Sequence, residues 1–158
     1  MGMMGVLRRA AFVAVLAGGT LGASLAAACP NWSSNPYYGT VNLSAGFLPD
    51  PHVTNVQAGG SNYLPNCVSG TAGNVGGPPD VRLIWSGTSS RLHIYVQSGA
   101  DTVLLVNGPS GQWFFNDDTN GFNPSIVFTN PAQGQYDIWA GTYSGGSLQP
   151  AQIFISEF

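Results

Sequence analysis

The chain has 158 residues, only four of them basic, against seven acidic side chains and two histidines. It contains no lysine; Arg8 and Arg9 stand at the start, so Arg82 and Arg91 alone face all seven acids in the rest. That balance excludes a phosphate-neutralising nucleic-acid surface, offers nothing to anionic lipid heads, and leaves divalent cations and neutral polymers as partners by charge.

Residues 10–25 form an apolar run after the two arginines and end in Ala26-Ala27-Ala28. A basic start, a short apolar stretch and small residues before a cut describe an export signal, so the expectation is a signal peptide over residues 1–28. Gly18, Gly19 and Gly22 break the run, which falls short of the ~20 apolar residues of a membrane span; a retained helix is the alternative. Residues 29–158 suit one domain with a real core, and no membrane span after processing.

The two cysteines are Cys29 and Cys67. In an oxidising compartment pairing is the default, and closing that loop contributes about 3–4 kcal/mol in a chain-entropy estimate. The rival is a lipid on Cys29, because Leu25-Ala26-Ala27-Ala28-Cys29 weakly resembles a lipoprotein cleavage box.

Along the chain, residues 37–43 and 52–58 are the first strand candidates, with Leu48-Pro49-Asp50-Pro51 turning between them. Residues 61–79, rich in Gly, Pro and Asn, punctuate rather than extend strands, and a loop of that length needs a staple; Cys67 supplies one. Residues 80–86 and 91–98 alternate with period two, placing Leu92, Ile94 and Val96 on one face and His93, Tyr95 and Gln97 on the other. Residues 102–106 are nearly all apolar, as in a central strand. Residues 112–116, 125–129, 135–142 and 151–156 follow, with Phe154 pointing away from Ile153 and Ile155. Eight or nine strands without an amphipathic helix predict an all-β fold, an antiparallel two-sheet sandwich.

Residues 101–106 (DTVLLV), Gly108-Pro109-Ser110-Gly111, Asn116-Asp117-Asp118, Asn123-Pro124-Ser125-Ile126 and Gly134-Gln135-Tyr136-Asp137-Ile138 follow one another in a recognisable order. That order resembles the bacterial pre-peptidase C-terminal domain family (PPC-like) over about residues 80–156, with residues 29–79 as an N-terminal extension. The resemblance implies a small jelly-roll-like sandwich and a non-catalytic accessory domain. It also implies binding to substrate or matrix, and calcium in some relatives.

Three groups of residues carry candidate chemistry. Asp117, Asp118 and Asn120 lie in a polar turn and offer oxygen ligands of the kind calcium takes, with Asp101 approaching from a strand end. The same residues also cap ordinary turns. Trp139, Tyr143 and Trp113, with Phe154, are the aromatic candidates for binding a sugar ring or an apolar peptide side chain; the sandwich core is their other destination. No Gly-x-Ser-x-Gly elbow or phosphate loop occurs, and Glu157 is the single glutamate, so an enzyme is not expected. The expected function is an exported domain, periplasmic or extracellular, that binds an extracellular protein or polysaccharide, with calcium as its candidate ion. The alternative is a structural component of the envelope, a surface layer or a filament, in which self-association through an exposed strand edge would matter.

Overall fold

The structure, a computed structural model, describes residues 29–158; the expected signal peptide lies outside them. Eleven strands fold into two sheets. They are β1 (Thr40–Ser44), β2 (His52–Ala58), β3 (Asn62–Tyr63), β4 (Asn74–Val75), β5 (Val81–Ser86) and β6 (Arg91–Ser98), followed by β7 (Thr102–Asn107), β8 (Trp113–Asn116), β9 (Ser125–Thr129), β10 (Gly134–Thr142) and β11 (Gln149–Ser156). The larger sheet runs β1-β5-β10, continues through β7 to β8, and holds β4 and β3 beside the end of β10. The smaller sheet runs β2-β11-β6-β9. Among the described residues no helix is long and apolar enough to cross a membrane.

The two-sheet sandwich is as expected, but its pairing is not antiparallel throughout. β1 lies parallel to β5, with Thr40 beside Arg82 and Ser44 beside Ser86. The chain leaves β1 for the other sheet as β2, returns to the first sheet as the β3–β4 pair and then enters β5, which runs in the same direction as β1. Residues 29–79 are therefore no appendage: β1 and β2 each supply an edge, one to each sheet.

Period-two alternation explains the main core. Leu83 and Trp85 of β5, Ile94 of β6, Ile138 of β10 and Ile153 and Ile155 of β11 all turn inward and are buried. β7 is buried along its whole length, as its unbroken apolar run requires. Leu104 and Val106 face the space between the sheets, while Val103 and Leu105 point the other way. Where β8 and β9 leave the sandwich open, Phe114, Phe128 and Tyr136 close it with edge-on rings at 4.8 and 5.2 Å.

A second core covers the outside of the larger sheet. Leu64 and Val75 lie over Val103, Leu105 and Trp139, with Trp113 and Phe115 packed at the side. Leu64 and Val75 belong to residues 61–79, which the punctuation marked as a loop. There β3 pairs with β4, and a 3-10 turn over Leu64–Asn66 joins the strap together. The strap sits close because β10 has a glycine beneath it: a Cβ on Gly141 would lie 2.7 Å from Val75 Cγ1 and clash with the Asn74 carbonyl. The Cys29–Cys67 disulfide fastens the strap to the N-terminal segment. With its sulfur committed there, Cys29 has no valence for a thioether lipid.

Arg82 locks the same segment from below. Its Nε donates to Asp137 Oδ1 at 2.7 Å, and its Nη2 donates to the carbonyls of Trp32 at 2.5 Å and Ser34 at 3.0 Å. Gln135 Nε2 holds the second carboxylate oxygen of Asp137 at 2.6 Å. Both partners are largely buried, so removing either would leave an uncompensated charge.

Candidate functional site

The outside of the smaller sheet has no such cover among the described residues. Strand register puts its side chains in rows. Val53, Phe154, Tyr95 and Ser125 face outward in one row across β2, β11, β6 and β9. Asn55, Gln152 and Gln97 form the next, and Ser156, His93 and Val127 the row on the other side. Tyr95 and Phe154, directly opposite each other, stack at 4.7 Å with planes 5° apart, and His93 joins them at 4.6 Å from Tyr95. Gln152 Nε2 donates to Asn55 Oδ1 at 2.9 Å, which holds part of the amide row in place.

The face is nearly without charge. None of its four strands contains an acid, in a chain with seven of them, and Arg91 is its one formal cation. Burial lowers the pKa of His93, and neighbouring Arg91 lowers it further, against the raising effect of the bond to the Phe158 carbonyl. Neutral His93 therefore bridges that carbonyl at 3.2 Å and the Ser125 hydroxyl at 2.7 Å. Burial raises the pKa of Tyr95, and the charge of Asp50 adds to the effect, so Tyr95 keeps its proton.

The polar turn singled out in the sequence borders this face. Thr119, Asn120 and Asn123 line a shallow depression of about 210 Å³ with His93, Tyr95, Gln97 and Ser125. The turn largely satisfies itself. Asp117 Oδ1 accepts from the Asp118 N–H at 3.0 Å, Asn116 Oδ1 accepts from Thr119 and Ser125, and Asn120 bridges Asn123. Asp101 does meet Asp117 and Asp118 electrostatically: its carboxyl is raised first by burial, then by the charges of Asp118 and Asp117. Among the described residues no three His, Cys, Asp or Glu side chains lie close enough together to hold a metal ion.

The aromatic candidates divide. Trp139 is fully buried, under the strap, with its indole N–H donating to the Gly77 carbonyl at 3.3 Å. It is a core residue, not a stacking surface, because the parity that points it away from the main core points it into the second one. Trp113 packs on it at 5.5 Å and is half-buried. Tyr143 is 46% exposed, just beyond β10, where its N–H donates to the Asp101 carbonyl. Sequence reasoning named Phe154 but missed Tyr95, Gln97, Gln152 and Asn55 as a group. Their outward parity was visible, but the pairing of β6, β11 and β2 that assembles them was not.

No family model matches the chain. No curated protein matches it either. Among solved structures it is similar to Aeromonas hydrophila PliG, a periplasmic lysozyme inhibitor of g-type lysozyme. The identity is 12%, the match covers 74% of this chain and 96% of that one, and the TM-score is 0.39.

Proposed function

We propose that the protein is an exported, non-catalytic binding domain that engages an extracellular protein through the outer face of its smaller sheet. The observation that carries this reading is the uncovered face itself, where the Tyr95–Phe154 stack and a row of amides stand outward on strands that hold no acid and one arginine. Interface centres are depleted in charge and enriched in Tyr, Phe and Arg. Tyr95, Phe154 and Arg91 meet that description, with Asn55, Gln97, Gln152 and Thr119 as a polar surround. The Cys29–Cys67 disulfide supports an oxidising, extracytoplasmic compartment.

A neutral polysaccharide is the second reading, favoured by the line of amides Asn55, Gln152 and Gln97 beside the ring stack. Amides exchange hydrogen bonds with sugar hydroxyls without demanding charge. Binding isotherms of residues 29–158 against an extracellular protein fraction and against neutral polysaccharides separate the two. The protein reading expects saturable binding to the protein fraction, weakened at least about tenfold in Tyr95→Ala/Phe154→Ala. Binding that survives the double substitution unchanged would place the contact elsewhere.

A further inference from the structure

A second concavity lies at the end of the sandwich, where the strap begins and finishes. It encloses about 350 Å³ and is lined by Tyr37, Tyr38, Gly60, Gly76, Leu148 and Asp80, among others. Asp80 stands just before β5 and is 5% exposed. One of its oxygens, Oδ2, accepts from the Ala140 N–H at 2.8 Å. The other has no hydrogen-bond partner among the described residues, although the residue lines the cavity.

Among the described residues no cationic side chain pairs with this carboxylate. After residue 28 its formal cations are Arg82 and Arg91. Arg82 is bound to Asp137 and two carbonyls, and Arg91 lies on β6 in the other sheet. The other titratable side chains lining the cavity are Tyr37 and Tyr38, and four glycines, Gly59, Gly60, Gly76 and Gly77, bring backbone to it. On β10, which supplies the Ala140 N–H, Asp137 is already paired with Arg82, and the Tyr136 hydroxyl donates to the Ala132 carbonyl. Burial therefore holds Asp80 at about 7, far above an ordinary carboxyl, with the Ala140 bond pulling the other way. Isolated burial of an ionisable group works against stability, which marks it as a candidate for function.

We infer that this cavity is a binding site for a primary ammonium or guanidinium group, with Asp80 as its counter-ion and the Tyr37 and Tyr38 rings as its walls. A cation supplies the missing partner for the free carboxylate oxygen and gains from aromatic faces beside it. Such a group can arrive on a free amine or on a lysine or arginine of a protein. The site shares no residue with the smaller sheet's face except the edge residue Gln57, so the two readings stand or fall separately.

The test is a titration of isotopically labelled residues 29–158 with n-butylamine hydrochloride, following amide resonances. At pH 8 the expected result is saturable shifts at Gly59, Gly60, Gly76 and Gly77. Between pH 8 and 5.5 affinity should fall about thirtyfold as Asp80 takes up its proton. Asp80→Asn keeps an oxygen for the Ala140 N–H and should abolish both the binding and its pH dependence. Tyr37→Ala, whose ring is 62% exposed, should weaken binding without changing the melting temperature. Neutral N-butylacetamide should not bind. An absence of saturable shifts in the folded protein at pH 8, or equal affinity in Asp80→Asn, overturns the inference. With the free amine bound, competition by a lysine-rich protein identifies the protein-borne source; lack of competition identifies the free amine.

Discussion

On the larger sheet, Trp139, Val103 and Leu105 point outward and are buried under a stapled strap. On the smaller sheet, Tyr95 and Phe154 point outward with no strap over them, and Val53 and Val127 at the edges are 39% and 47% exposed. Both faces obey the same alternation, yet one has become core and the other surface. Alternation says which side of a strand a residue takes, and says nothing about what lies over that side. The strap itself explains the difference: its Gly-rich backbone lies close enough to bury the first face, while among the described residues an equivalent segment does not cross the second.

The sharpest way to break this comparison is to truncate one aromatic from each face. Trp139→Ala removes a fully buried indole and should cost about 3–5 kcal/mol in chemical denaturation. Tyr95→Ala should cost no more than about 1.5 kcal/mol, the loss of a partly exposed stack. Equal costs would mean that the two faces are not different in kind.

Opening the staple should have the next largest effect. Cys67→Ser is expected to destabilise the protein by about 3–4 kcal/mol and to raise the solvent quenching of tryptophan fluorescence as the strap loosens over Trp139. An intact mass of residues 29–158 two hydrogen atoms below the reduced value checks that the pair forms. Unchanged melting and quenching after reduction would show that the strap holds without its tether.

Asp80 gives a pH signature of its own. Its folded pKa lies near 7 and above its unfolded value, so the folded state binds the extra proton between about pH 4 and 7. Its contribution to stability thus falls as pH rises through that window, by up to about 1.4 kcal/mol per unit, and levels off above it. Wild type minus Asp80→Asn isolates the term in denaturant melts at pH 5 and 8. The variant should gain on the wild type at pH 8. A difference independent of pH would mean that Asp80 is not the titrating group.

The smallest effect belongs to the polar turn. The crowding of Asp101, Asp117 and Asp118 predicts a small rise in melting temperature with millimolar calcium, which would relieve their repulsion, lost in Asp118→Asn. Superimposable melts in calcium and chelator would leave these aspartates as turn caps.

Most of the sandwich was legible in the sequence because burial of one face imposes period two. The alternation in residues 91–98 and 151–156 predicted the inner and outer sides of β6 and β11 correctly, and the apolar run of residues 102–106 marked β7 as central. The parallel pairing of β1 with β5 was not legible, since it depends on where the chain crosses between sheets. Nor was the strap: β3 and β4 have two residues each, too few to show a period, and their pairing depends on distant contacts. That is why Trp139 was read as a surface candidate. Asp80 gave no signal, because its burial comes from Tyr37, Gly60, Gly76 and Leu148, which lie far apart along the chain. The disulfide was legible from two cysteines and the expectation of export alone.

The central claim is that the uncovered face of the smaller sheet, and not the strapped face, meets the partner. Site-specific photo-crosslinking tests it most directly, with p-benzoylphenylalanine at Gln152 on the uncovered face and at Tyr63 on the strap, the latter 48% exposed. Each is mixed with the extracellular protein fraction and irradiated. The account predicts a discrete, competable adduct from position 152 and none from position 63. An adduct from position 63 alone, with position 152 silent, would contradict it.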